Sequence, residues 1–332
     1  MPSITETPMP NHFTLMQDAV DIVGTSPHPT NKVAATLAGA GADGQAFSIS
    51  RTNYWPLPIQ ESFGTETRIG NSSGTLHAET ACLLAAPGSN GASMYVTDLP
   101  CPNCVKNMAE AGIKNLYIDH KGFSKDFALR RGDHFESMSL RICEKAGINV
   151  HRIFRKEKRI EDILKIAPDF TPIIERPAIV TLLNNAPSKD FFTLLIGTKK
   201  GYYRDRNFAL AIASNKSGQS YIVSAESHPC PGYTAQTVEK TDDKYSSFLQ
   251  PLNRVLMTSA RYGLKINNGY LYASRTPTSR ELVDMVGAEL THIIIGDPAK
   301  ARDPDALAAL KRLMGAGIIT TLSSPTATQS GA

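Results

Sequence analysis

The sequence is short of what membranes, exported frameworks and polyanion binders require. No apolar stretch approaches the roughly 18 residues that span a bilayer. The opening run MPSITETPMPNHF has neither the basic region nor the apolar core of a secretory leader. Cysteine is sparse, with Cys82, Cys101, Cys104, Cys143 and Cys230. An odd count at low density argues against a disulfide framework. These absences predict a cytoplasmic protein without a membrane segment. Excess charge of one sign is also missing: 35 Lys+Arg face 31 Asp+Glu, a net +4 over 332 residues. Signs so evenly mixed give nucleic acid little support as a partner. The 24 glycines and 21 prolines are scattered and no heptad run persists, which excludes collagen-like and coiled-coil chains.

What is present is ordinary globular material, 41% hydrophobic and 20% charged. That composition excludes disorder as the dominant state, and the length suggests about two domains. Apolar spacing predicts a helix over Phe13–Val23, ending at Gly24. Strands follow at 33–37 and 46–50, joined by a glycine-rich turn, and then a long polar loop from 57 to 75. Next come a helix at 77–86, a strand at 94–97, a helix at 101–111 and a strand at 116–118. A helix near 135–146 and a strand at 149–153 complete the half. Strands alternating with helices indicate an α/β sandwich around one mixed sheet.

Between about 155 and 190 the charges cluster and prolines fall at 168, 172, 177 and 187. The expected division is a first domain at 12–155, a connecting segment at 156–190 and a second domain at 191–325. The second half repeats the first at an offset of 177 residues. Leu271–Pro277 matches Met94–Pro100, and Ile294 lies 17 residues beyond Pro277 as Tyr117 lies 17 beyond Pro100. Two copies make a tandem pair.

One constellation carries chemistry: His77-Ala78-Glu79, followed by Pro100-Cys101-Pro102-Asn103-Cys104. Zinc takes about four ligands in a tetrahedron, and a catalytic zinc leaves one position for water. One imidazole and two thiolates supply three. Cys101 and Cys104, three residues apart in a first helical turn, can reach one ion, and the helix dipole there favours thiolates. Glu79 stands close enough to meet the water without binding the metal. Zinc brings the pKa of that water toward about 7, and a neighbouring carboxylate can carry a proton to a leaving amine. A purely structural zinc would normally have a fourth protein ligand. A scaffold that kept zinc only for folding would have no use for Glu79.

This pattern resembles the signature of zinc-dependent base deaminases, and the chain resembles the cytidine/deoxycytidylate deaminase family over about residues 13–153. Ser26-Pro27-His28-Pro29-Thr30-Asn31-Lys32-Val33-Ala34-Ala35 is similar to the entry into the first strand in the deoxycytidylate branch, with Ala34 in place of glycine. Ser50-Arg51-Thr52-Asn53-Tyr54-Trp55-Pro56 is similar to its G-Y-N-x-x-P stretch, with the glycine absent. The resemblance implies a three-layer α/β/α sandwich with a mixed central sheet, here in two tandem copies. It implies Zn2+ on His77, Cys101 and Cys104, with zinc hydroxide attacking C4 of a free cytosine nucleotide or nucleoside (dCMP, CMP or cytidine). Glu79 then shuttles the proton and ammonia leaves. Asn53, Ala78, Tyr54, Trp55 and His120 are the substrate-side candidates. The same core could serve a purine or pterin amine, or a nucleic-acid editing reaction.

Arg130, Arg131, Arg155, Lys158 and Arg159 could meet a phosphate, although charge runs usually form solvated faces. Cys82 and Cys143 read as buried thiols. The second copy has Thr278 and Glu281 where Cys101 and Cys104 stand, and no His-x-Glu before them. His228 and Cys230 align with the Asn53–Pro56 stretch and read as remnants. The second half is therefore expected to be a degenerate deaminase-like domain without zinc ligands. Its expected role is that of an intramolecular partner in place of another subunit, with a homodimer left open.

Overall fold

In the computed structural model of the protein, which describes residues 11–65, 68–123, 133–238 and 246–322, two six-stranded mixed sheets each carry helices on both faces. The first half begins with α1 (His12–Ile22), capped by the Asn11 side chain. Strands β1 (Ala34–Ala40) and β2 (Ala46–Thr52) follow as an antiparallel hairpin. After α2 (Leu57–Phe63) and the two-residue strands β3 (Arg68–Ile69) and β4 (Ser72–Ser73) comes α3 (Ala78–Ala85). The half continues through β5 (Ser93–Val96), α4 (Pro102–Glu110), β6 (Asn115–Asp119), α5 (Asp133–Ala146), β7 (Asn149–Phe154) and β8 (Arg159–Leu164). Its sheet order is β2-β1-β5-β6-β7-β8, with β5, β6 and β7 parallel and the rest antiparallel.

The second half begins with β9 (Ile179–Leu182), α6 (Lys189–Tyr203), β10 (Phe208–Ser214) and β11 (Ser220–Glu226). The short pair β12 (His228–Pro229) and β13 (Phe248–Leu249) leads into α7 (Pro251–Arg261). Then come β14 (Lys265–Thr276), α8 (Ser279–Gly287), β15 (His292–Ala301), α9 (Pro304–Gly315) and β16 (Thr320–Leu322). Its sheet order, β16-β15-β14-β10-β11-β9, contains the same five-strand arrangement. Strands β11, β10, β14, β15 and β16 take the places and directions of β2, β1, β5, β6 and β7. The extra strands, β8 and β9, lie on opposite edges of this shared arrangement. Both come from residues 156–190, so the expected connecting segment contributes an edge strand to each sheet.

Two local expectations change. Strand β1 runs on to Ala40, which shortens the glycine turn. The expected polar loop 57–75 contains α2, because Pro58 suits a first helical turn and Ile59 packs into the core fully buried. Arg130 and Arg131 lie outside the described residues.

The two copies meet helix layer to helix layer, with α3 and α4 packed on α7. One apolar cluster crosses the contact, joining Met94, Val105 and Met108 to Leu252, Val255 and Met285. Two buried cations cross the contact with several partners each. Arg254, 2% exposed, donates from Nε to Glu110 Oε1 at 3.1 Å, and its other nitrogens reach the Glu226 and Arg176 carbonyls. Lys106 Nζ donates to the Ser246 and Phe248 carbonyls, both at 2.8 Å. A guanidinium or ammonium buried this way stays favourable only while those partners remain.

Candidate active site

Two helix starts build the centre of the first half. His77 is the N-cap of α3 and Cys101 the N-cap of α4, both in extended backbone, so each side chain stands at the mouth of its helix. Cys104 lies within the first turn of α4, on the side facing Cys101. His77 Nδ1 is 3.2 Å from Cys104 Sγ and 3.6 Å from Cys101 Sγ, and the two sulfurs are 3.5 Å apart. A tetrahedral zinc with bonds of about 2.3 Å to sulfur and about 2.0–2.1 Å to nitrogen sets S···S at about 3.8 Å and N···S at about 3.6 Å. The three side chains are therefore spaced to hold zinc, and no other group of three His, Cys, Asp or Glu among the described residues could hold a metal ion. Asn107 Nδ2 donates to Thr80 Oγ1 at 3.2 Å, tying the two helices together behind the ligands.

Glu79 lies in the first turn of α3, 4% exposed. Burial pushes its carboxyl above the ordinary range, with the His77 imidazole opposing. The contact with Cys104, followed by the imidazole, holds the Cys101 thiol well below the usual thiol value. Ala78 is fully buried between His77 and Glu79.

The remaining candidates sit on neighbouring backbone. A bridge pairs Tyr54 with Leu76 in antiparallel sense, which sets Asn53 across from His77 and Trp55 across from Thr75. Asn53 organises the loop before β1. Its Oδ1 accepts from Ser26 Oγ at 2.7 Å and Val33 N at 2.9 Å, while Nδ2 donates to the Asn31 carbonyl. Trp55 is 4% exposed and stacks on His28 at 5.2 Å, so it is a buried wall and not an open platform. Tyr54 is half-buried. His120 follows β6 directly, beside Asp119 and stacked on Phe154 at 5.0 Å.

His28 was not singled out by the sequence, although it lies in the motif entering β1. Its Nδ1 accepts the backbone N–H groups of Thr30 and Asn31, which fixes the ring as the neutral Nε2–H form. Burial and the nearby His77 hold it below the ordinary imidazole value.

The second copy mirrors the framework without the ligands. Gln250 and Thr278 cap α7 and α8 where His77 and Cys101 cap α3 and α4. His228 pairs with Leu249 as Tyr54 pairs with Leu76. His228 Nε2 meets Glu175 at 2.9 Å, and Cys230 is buried.

Residues 9–120 match the family model for the cytidine and deoxycytidylate deaminase zinc-binding region. An uncharacterized deaminase encoded in the luxG 3′ region of Aliivibrio fischeri is 30% identical over 132 residues, spanning 39% of this chain and 85% of that protein. The chain belongs to the cytidine and deoxycytidylate deaminase family. This deaminase is accordingly a hydrolytic enzyme of a zinc-binding family. The deoxycytidylate deaminases of Enterobacteria phages T2 and T4 are each 48% identical over 50 residues, but the match spans only 27% and 26% of their own length. A crystal structure of the dCMP deaminase of cyanophage S-TIM5, in complex with dCMP and dUMP, aligns at 21% identity and a TM-score of 0.32, over 42% of this chain and 94% of that one. No helix among the described residues is long and apolar enough to cross a membrane.

Proposed function

We propose that the protein is a zinc-dependent deaminase of a free cytosine nucleotide or nucleoside, worked by the first domain at 12–155. Residues 156–190 connect it to a degenerate partner domain at 191–325. The observation that carries this reading is Glu79, a carboxyl buried at the start of α3 beside His77, Cys101 and Cys104. A carboxyl raised by burial is suited to accept and return a proton near neutral pH.

In this reading His77, Cys101 and Cys104 hold the metal, and zinc bound there lowers the pKa of water toward about 7. Glu79 takes the proton that the attacking water gives up. It delivers that proton to N3, then takes the proton left on the new C4 hydroxyl and delivers it to the amine on C4. A C–O bond forms at C4 as the C–N bond breaks, giving uracil and ammonia. Asn53 lies across from His77, and its amide N–H beyond the one bound to Asn31 addresses a substrate oxygen. Trp55 and His28 form a stacked wall, with the His28 Nε2–H as a second donor. Ala78, Tyr54 and His120 complete the substrate surroundings.

The short but strong match to the phage deoxycytidylate deaminases supports a cytosine substrate. A screen of ammonia release tests it, using dCMP, CMP, cytidine, deoxycytidine, cytosine, guanine, adenosine and single-stranded DNA. Cytosine nucleotides or nucleosides are expected to react, and Glu79→Ala to lower the rate by orders of magnitude. Release from guanine or adenosine alone would replace the substrate, and full activity in Glu79→Ala would remove the mechanism.

A further inference from the structure

The segment that delivers His77 to the metal centre lies along the second half. Arg312 Nη1, from α9, donates to the Arg68 carbonyl at 2.9 Å. At Gly70, where φ is +56°, a Cβ would stand 2.2 Å from Ser279 Oγ and 2.5 Å from the Asp305 carbonyl oxygen, so only glycine allows this approach. Arg280, in the first turn of α8, donates from Nη1 to the Thr75 carbonyl at 2.7 Å and from Nη2 to Ser73 Oγ at 3.1 Å. At Gly287 a Cβ would stand 2.7 Å from the Leu76 side chain. Contacts at 68, 70, 73, 75 and 76 thus hold the chain against α8 and α9, and His77 is the next residue.

Arg280 is the polar centre of this contact. Its side chain is 18% exposed, with Asp284 Oδ1 at 3.8 Å as the balancing carboxylate. A guanidinium fork on two acceptors fixes direction as well as distance. Here those acceptors lie two and four residues before a metal ligand.

We infer that Arg280, from the half that has lost its own ligands, is a positioning residue for the metal centre of the first half. By holding Thr75 and Ser73 it sets the backbone that aims the His77 imidazole at Cys101 and Cys104. This inference rests on the ligand assignment proposed above. Groups that orient metal ligands from outside the coordination sphere typically change metal affinity about 10–100-fold when removed.

The test uses the full chain as wild type, Arg280→Gln, Arg280→Lys, Arg312→Gln and Cys104→Ala. Zinc affinity is read by competition with a chromophoric chelator, thiolate-to-cobalt absorption on the cobalt-loaded protein, and kcat and KM separately on the substrate found in the screen. Arg280→Gln is expected to lose about 10–100-fold in zinc affinity, to shift the cobalt band and to lower kcat with KM little changed. Arg280→Lys retains the charge without the fork and is expected to fall between wild type and Arg280→Gln. Arg312→Gln loosens the same segment nine residues before His77 and is expected to keep wild-type zinc affinity. Wild-type affinity and an unshifted cobalt band in Arg280→Gln would overturn the inference. If Arg280→Gln does not fold, wild-type affinity in Arg280→Lys overturns it instead. The ligand assignment fails separately: it falls if Cys104→Ala binds zinc as wild type does, whatever Arg280 shows.

Discussion

The same junction is built twice in this molecule, once around an imidazole and two cysteine sulfurs spaced to hold zinc and once around a carboxylate. In the first half, His77, Cys101 and Cys104 converge at the starts of α3 and α4. In the second, Glu281 takes the place of Cys104 and binds both helix starts itself. Its Oε1 accepts from Leu252 N at 2.8 Å and Asn253 N at 3.4 Å, in the first turn of α7. Its Oε2 accepts from Thr278 N and Thr278 Oγ1, both at 2.8 Å, at the start of α8. Two helix N-termini meeting in a core leave several N–H groups and two positive dipole ends without intrahelical partners. Cysteine sulfurs stand at this point in one copy and a carboxylate in the other. The second copy thus has the mechanical joint without the His and Cys set, which fits the partner role proposed for it.

Removing that partner is the largest test. A chain lacking residues 170–332 would expose the apolar faces of α3 and α4, with Lys106 and Glu110 stripped of their partners. We expect insoluble or inactive protein, read from soluble yield and ammonia release. A soluble, fully active fragment would break the comparison. Within the full chain, Glu79→Ala is expected to cut turnover by about 10²–10⁴-fold with zinc retained, measured by metal content and steady-state rates. Glu110→Ala should cost about 3–5 kcal/mol of stability, because it strands a buried Arg254; a denaturant series gives the value. Glu281→Ala should cost less, about 1–3 kcal/mol, for the donors left unsatisfied. Below its melting temperature that variant should keep near-normal turnover. Loss of activity in a folded Glu281→Ala protein would mean that the two junctions are coupled more tightly than proposed.

Much of this was readable in the chain. The spacing of His77, Glu79, Cys101 and Cys104 follows helix geometry, since residues at a cap and in the first turn face one point. The repeat showed as a constant offset because the turn and the nine-residue helix between the strands kept their length, although β14 and β15 outrun β5 and β6. Contacts across the halves left no local pattern. Arg280 reads as an ordinary polar residue in an amphipathic helix, and only the fold reveals Thr75 and Ser73 beneath it. Helix α2 was missed because Pro56 and Pro58 suggest loop, while burial of Ile59 decides the matter. Asn53 was legible as polar and near the site, yet its bonds to Ser26, Val33 and Asn31 belong to tertiary structure. Strands β8 and β9 sit at sheet edges, where charge and proline are tolerated and hide the alternation.

The smallest effect separates Cys101 from the three thiols buried away from the junction and asks whether reactivity follows the junction. Burial raises the thiols of Cys82 and Cys230 to about 12, and that of Cys143 upward as well. The thiolate is the reactive form, so below these values the three stay protonated and inert in the folded protein. Cys101 is shifted the other way and is partly exposed. A lowered pKa keeps the thiolate populated as pH falls, so in zinc-free protein Cys101 should label first and still label below about pH 7. An ordinary thiol, with a pKa of about 8.5, would by then be mostly protonated. Adding zinc should protect Cys101, and acid should undo that protection because metal and protons compete for the same ligands. Alkylation followed by peptide mass mapping gives the order. Labelling of Cys230 as fast as Cys101 would show that the second half opens to solvent and is not the rigid partner described here.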